Sequence, residues 1–267
     1  MMKKYLAIFL LLGAMFAETQ NGFLSEAGAG IGYYRYDEPQ VMNTDELLLN
    51  LNAKLGYRHS FVKTEAIGNA FVTFGRYNGA ILELGENNEK QKRKLRSFSA
   101  SQIFDGQAKI GLDLLFFSDS MDLFVQSGIA YWQLFYFSSS YDRRQGYLYV
   151  PIELEGEIRS TPSFAWTYLL GYKHLIEGRH TTTISSIGVA DVDLFARQDK
   201  GFGLKASFGW KKQNNDSTNF TRFIVDYWKI DESTRSEPTT THLGRRAQFI
   251  EPRNFTLSIY LQYGWNF

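Results

Sequence analysis

Glu153, Glu155 and Glu157 stand two residues apart in the stretch YLYVPIELEGEIR, and Arg159 continues the series. On an extended strand that spacing puts all four side chains on one face, with roughly 7 Å between neighbours. A column of carboxylates of this kind either holds Lys and Arg partners or lines a path for cations. Lys54, Arg58, Lys109, Asp113, Lys205, Arg222 and Asp226 fall on the polar faces of other alternating segments, as do Lys63, Glu65, Lys173 and Lys211. A second group is purely basic. Lys90, Lys92, Arg93, Lys94 and Arg96 crowd the stretch ENNEKQKRKLRS, and Arg143-Arg144 and Arg245-Arg246 are adjacent pairs. In loops, such residues are either ordinarily solvated or a means of attracting phosphates and other anionic surfaces. With 4 His and no Cys, the chain lacks thiolate ligands, disulfides, a cysteine nucleophile and a lipid-bearing Cys. The His residues are too few and too dispersed to argue a metal site, and no cofactor is expected. A formal charge of +1 gives no global field for nucleic acid.

The elements that carry these charges read as strands. In LLLNLNAKLGYR, residues Leu47, Leu49, Leu51 and Leu55 share one face while Asn50, Asn52, Lys54 and Arg58 share the other. The same alternation recurs in GQAKIGLDLLF, GFGLKASFGWK and FTLSIYLQYGWNF. Ten strands are expected, near 23–36, 47–58, 62–76, 104–117, 121–137, 147–159, 163–176, 201–212, 219–230 and 254–267. The strand at 121–137 is the least regular, because Trp132 and Gln133 break the parity of Leu123, Val125 and Ile129. Connections alternate long and short along the chain, so both chain ends fall on the short-turn side. The stretches from Tyr77 to Ile103 and from Glu177 to Lys200 read as long loops.

Lys3 and Lys4 precede YLAIFLLLGAMFA, a 13-residue apolar run with the layout of a secretory signal, expected at 1–17 and followed by one unit over 18–267. No other run approaches the roughly 20 apolar residues of a membrane helix. The expected strands instead exceed the roughly 9 to 11 tilted residues that cross a bilayer. Aromatic residues gather at both strand ends. Tyr57, Phe116, Phe164, Trp210, Phe220 and Trp265 lie toward the short turns, and Tyr33, Phe74, Phe104, Tyr147, Tyr172 and Phe202 toward the long loops, as two interfacial girdles require.

The whole mature chain resembles the outer-membrane β-barrel proteins of Gram-negative bacteria, a class whose last strand commonly ends in Phe after alternating aromatic or apolar residues. Tyr263, Trp265 and Phe267 match that ending. The resemblance implies an all-β, transmembrane, antiparallel up-and-down barrel in the outer membrane, with long extracellular loops and short periplasmic turns. It also implies contact with membrane lipid and lipopolysaccharide, and recognition of the final strand by the barrel assembly machinery. Catalytic patterns of barrel enzymes are incomplete. Asp191-Val192-Asp193 supplies the Asp-x-Asp of omptin-like proteases without the accompanying Asp-x-His, and the His-x-Ser of barrel phospholipases does not occur. His174, His180 and His242 read as solvated rim or loop residues. The expectation is a non-enzymatic barrel with surface loops for interaction or membrane integrity, with a narrow porin-like channel as the alternative and a hydrolase third. Gly28, Gly30 and Gly32 on the first strand leave room for either an interior filled by paired charges and water or a narrow ion path.

Overall fold

The computed structural model describes residues 21–39, 41–84, 90–137, 142–183, 185, 193–214, 217–236, 239–240, 246–248 and 250–267. The signal segment expected at 1–17 lies outside the described residues. A period of 2 turns one set of side chains outward and the other inward, which only an extended strand can do. The strands are β1 (Gly22–Glu38), β2 (Met42–His59), β3 (Val62–Leu84), β4 (Lys90–Asp113), β5 (Met121–Phe137), β6 (Arg143–Thr161), β7 (Phe164–Thr182), β8 (Leu194–Gln198), β9 (Gly201–Asn214), β10 (Ser217–Ile230), β11 (Thr239–Thr240), β12 (Arg246–Ala247) and β13 (Asn254–Asn266).

Ten of them close an antiparallel barrel, in the order β6-β5-β4-β3-β2-β1-β13-β10-β9-β7, with β6 pairing β7 to complete the ring. The extra strand β8 continues β9 across Asp199 and Lys200. Against β7, Gly178 faces Gln198 and His174 faces Phe202, which is one register interrupted for two residues. The interruption coincides with a register shift between β6 and β7 at Leu148/Tyr149. The start of β1 and the end of β13 meet at the short-turn end. The Phe267 amide donates to the Ser25 carbonyl at 3.0 Å, and the Ser25 hydroxyl donates to the Phe267 carbonyl at 2.9 Å.

Several boundaries differ from the sequence reading. Strand β4 stops at Asp113 and not near 117, because the Asp113 carboxylate accepts the Leu115 and Leu123 amides at 3.0 and 3.2 Å and starts the turn early. The stretch from Tyr77 to Ile103 is no loop; β3 and β4 continue as a hairpin from Tyr77↔Ser97 to Leu84↔Lys90. The expected loop from Glu177 to Lys200 likewise contains the end of β7 and all of β8.

The outward face is apolar: Leu51, Leu55, Ile110, Leu112, Leu170, Phe208, Phe223 and Leu261 are all exposed. Two residues assigned to the girdles point inward instead. Phe220 and Tyr147 are both buried within the barrel. The glycines of β1 explain the first, since a Cβ on Gly28 would lie 2.9 Å from Phe220 Cζ, and one on Gly30 would lie 3.3 Å from Tyr260 Cδ2. The room these glycines leave is occupied by rings.

One carboxylate ties the closing seam together. Glu26 of β1 is buried and receives both Arg222 Nη atoms of β10 at 2.8 and 2.9 Å and Asn266 Nδ2 of β13 at 3.0 Å. Lys54 of β2 and Lys211 of β9 approach the same carboxylate at 3.1 and 3.6 Å. Removing one partner of a buried ion pair costs about 3–5 kcal/mol. Glu26→Gln is therefore expected to lose about that much stability in thermal or urea unfolding of the detergent-folded barrel. Glu177→Gln, which breaks the solvent-screened pair with Arg179, should leave stability nearly unchanged. Equal losses would contradict the seam's role.

Candidate functional site

The interior has two layers, and the inner one, toward the short turns, is ionic. Glu153 meets Lys109 at 2.5 Å, Glu155 meets Lys63 at 3.1 Å and Lys54 at 3.6 Å, and Glu157 is paired with Lys211. The three glutamates thus form one column with a lysine opposite each. Arg58 reaches Asp113 at 2.8 Å and Asp122 at 3.4 Å, and Arg159 also reaches Asp122. Lys205 faces Asp226 across β9 and β10, and Asp226 is paired with Lys173. Gly171 lies between Glu153 and Lys205 in the same row, and its missing side chain lets the two approach. The sequence reading missed Glu26, Asp105 and Asp122. Glu26 and Asp105 share the parity of Gly28 and Lys109, which it did single out, and Asp122 lies on the face opposite Leu123 and Val125. A hollow of about 290 Å³ opens this layer toward the short-turn end, between Arg58, Lys63, Glu157 and Lys211. A smaller cavity of about 70 Å³ lies deeper, walled by Lys54, Glu155, Lys205, Ser207 and Arg222.

The second layer is aromatic and has no counterpart in the sequence reading, which filled the lumen with charge and water. Tyr34, Leu48, Ile103, Trp132, Tyr147, Tyr149, Trp228 and Tyr260 are buried in one cluster drawn from seven strands, β1, β2, β4, β5, β6, β10 and β13. Trp132 stacks on Tyr147 at 4.8 Å, Tyr147 meets Trp228 at 5.4 Å, and Tyr149 meets Trp228 edge-on at 5.0 Å. Lys173 joins the layers, bound to Asp226 and lying 4.6 Å over the Trp228 ring. Asp105 does the same through Tyr149, whose hydroxyl donates to it at 2.6 Å, and through Gln107 at 2.7 Å. The void between Asp105, Asp226 and Trp228 measures about 20 Å³, the room of a single water.

Beyond the rings, the long-loop end is held by a buried clamp. Arg143 was read as part of an exposed basic pair; it is 8% exposed and points inward. It donates to Glu38 at 2.6 Å, to Glu251 at 2.8 Å and, through Nε, to His180 Nε2 at 3.3 Å. The reason is parity: Arg143 opens β6 on the inward face, and Arg144 faces out. His180, read as solvated, is 2% exposed. Because its Nε2 accepts from Arg143, its Nδ1 carries the proton and donates to Glu251 at 2.9 Å. Glu251 belongs to the last long connection, whose base is fastened by Gln198 Nε2 to the Asp231 and Pro252 carbonyls at 3.0 and 3.3 Å.

The other basic residues are dispersed. Lys90, Lys92, Arg93, Lys94 and Arg96 lie on β4 and not in a loop, and Lys94 and Arg96 are exposed. Arg246 is in β12, whereas Arg245 lies outside the described residues, as do Asp191 and His242. Asp193 accepts the Ser185 hydroxyl, and His174 faces outward and is exposed. Among the described residues, no group of His, Asp and Glu is arranged to hold a metal ion. Tyr263, Trp265 and Phe267 stand exposed on the outward face of the closing seam.

The clamp is pH-dependent in a definite direction. Burial holds the His180 imidazole below its ordinary value, with Glu251 offsetting only part of that effect. Burial works against the Glu251 charge too, but Arg143 and His180 outweigh it and hold the carboxyl below its usual range. Both groups thus bind protons less readily when the clamp is closed, so acid favours the open form. The loss begins as pH falls through about 6.5, from His180, and continues below about 4.3, from Glu251. Amide exchange at Ser233 and Glu251 reports it, since the Ser233 amide donates to the Glu251 carbonyl and the Glu251 amide to Ser233 Oγ. Their protection should fall between neutral pH and about pH 5, and unchanged protection would rule the clamp out as a pH-sensitive element.

No family model and no curated protein matches the sequence. Among solved structures, the outer-membrane protease OmpT from Escherichia coli aligns with 93% of this chain and 98% of its own, at 12% identity and a TM-score of 0.56. Neisserial surface protein A aligns with 90% of this chain and 95% of its own at 10% identity, with a TM-score of 0.30, and the P. putida toluene transporter TodX with 95% and 91% at 8% identity and 0.32. At such identities the OmpT likeness is one of architecture: the chain has the ten-stranded closed-barrel fold of bacterial outer-membrane proteins.

Proposed function

We propose that this protein is an integral barrel of the bacterial outer membrane that does not conduct and does no chemistry, and that its working surface is the extension at the long-loop end. The exposed apolar face, banded by Tyr57, Trp210 and Trp265 at one end and by Tyr33, Phe104 and Tyr172 at the other, suits a lipid-covered wall. With the short turns in the periplasm, the long strands carry β3, β4, β6 and β7 well past the bilayer. Outward Arg76, in register beside Asp45 and just beyond Phe74, sits where lipopolysaccharide phosphates would meet the wall.

The observation that carries the non-conducting reading is the ring layer formed by Trp132, Tyr147, Tyr149 and Trp228. Ten strands about 4.8 Å apart and tilted by about 40° enclose a cylinder of only about 10 Å radius at the backbone. Aromatic side chains entering from several walls meet across that width. The ionic layer below is internally paired, which favours a structural interior over a cation path. A non-enzymatic role is favoured by the position of His180, which is buried and engaged on both ring nitrogens. Planar-bilayer recording of the refolded protein should show no steady conductance in concentrated potassium chloride. Trp228→Ala, which opens the centre of the ring layer, should introduce brief openings. Steady, cation-selective steps from the unaltered protein would establish the channel reading instead.

A further inference from the structure

The basic stretch on β4 belongs to a structure that the barrel does not need. Pairing between β4 and β5 begins at Ala100↔Phe137, so from Lys90 to Ser99 the described residues pair β4 with β3 alone. Pairing between β2 and β3 likewise ends at Met42↔Gly79, which leaves Ala80–Leu84 bonded only to β4. Among the described residues, the hairpin therefore projects as a two-stranded ribbon whose β4 edge pairs with no third strand. Lys94, Leu95, Arg96, Ser97 and Phe98 are all exposed along that edge.

A free edge carries unpaired amides and carbonyls and invites another strand. Its side chains decide which strand. Lys94, Arg96 and Phe98 share one face, and Leu95, Ser97 and Ser99 share the other. A second copy of the same edge would set like charges against each other, so self-pairing is disfavoured. A strand with acidic residues on the Lys94 and Arg96 face and apolar residues on the Leu95 face is complementary. Beside the ribbon, a hollow of about 390 Å³, lined by Val41, Met42, Gly79 and Leu95 and also by Asp37, Glu38, Lys94 and Arg96, offers space next to Leu95.

We infer that the exposed edge of β4, from Lys94 to Phe98, binds an extended acidic segment of another protein by strand addition. This deepens the display role proposed above and rests on it for where the partner is met. The binding itself is independent of conduction and of the barrel's orientation in the membrane.

The test uses the full-length protein refolded in detergent and a labelled peptide of alternating Glu and Val. The same peptide with every backbone nitrogen methylated keeps the charges but cannot donate to the edge. The unmodified peptide should bind, and methylation should weaken it by roughly tenfold or more, because several main-chain hydrogen bonds are lost at once. Amides among Lys94–Phe98 should gain protection from hydrogen exchange in the complex, and Lys94→Glu with Arg96→Glu should abolish binding. Equal binding of the methylated peptide overturns the proposal in favour of simple attraction to polyanions such as lipid phosphates. Absence of binding by the unmodified peptide also overturns it, and assigns the charges to keeping copies of the edge apart. Neither outcome bears on the conductance recording, so the two readings fail separately.

Discussion

The interior of a ten-stranded barrel is too narrow to hydrate its charges freely and too wide to leave empty, and every other feature of this molecule follows from how that space is neutralised and filled. Charges withdrawn from water are tolerated only when paired and hydrogen-bonded. Glu26 shows the solution at its most concentrated: one carboxylate collects Arg222, Lys54, Lys211 and Asn266, and with them strands β10, β2, β9 and β13. Because β1 and β13 form the join between the chain's ends, this ionic knot is also what registers the closure. The Glu153, Glu155 and Glu157 column repeats the arrangement on the opposite wall with Lys109, Lys63 and Lys211.

Toward the long-loop end the same space is filled differently. Rings replace ions, and Lys173 over Trp228 and Asp105 beneath Tyr149 couple the two regimes. Above the rings, Arg143 draws Glu38, His180 and Glu251 into a buried cluster that fastens the last long connection across the mouth. A ring layer with a charged layer under it and a clamp above it leaves the extended strands outside as the part free to interact. That division of labour explains why the exposed basic edge of β4 stands apart from a barrel whose other described charges are largely paired.

Much of this architecture was legible because the outward side chains of the barrel wall are predominantly apolar. Leu51, Ile110, Leu261 and Phe267 set a parity that marked the strands and placed Lys54, Lys109 and Glu155 inside. The reading failed where the inward face was apolar as well. Trp132 looked like a break in β5, yet every even residue from Asp122 to Tyr136 faces inward, and Trp132 simply belongs to the ring layer. Tyr147 and Phe220 were assigned to girdles for the same reason, since composition does not separate a ring facing lipid from one facing the lumen. In the sequence Arg143 and Arg144 read as one basic pair, although adjacent residues on a strand point to opposite sides. Glu38 and Glu251, which make Arg143 a buried residue, lie more than a hundred residues away in sequence, and no local pattern announces them.

The central claim is that the lumen is open to water from the short-turn end only as far as the ring layer. The chain has no cysteine, so a single one can be placed at Ser207, in the wall of the deeper ionic cavity. Silver ion, comparable in size to potassium, can then be added to either side of vesicles that hold the barrel in one orientation, and the thiols left unreacted counted after unfolding. Reaction from the short-turn side and protection from the long-loop side is the result this account requires. Equal reaction from both sides would mean that ions pass the rings and that the barrel is a channel.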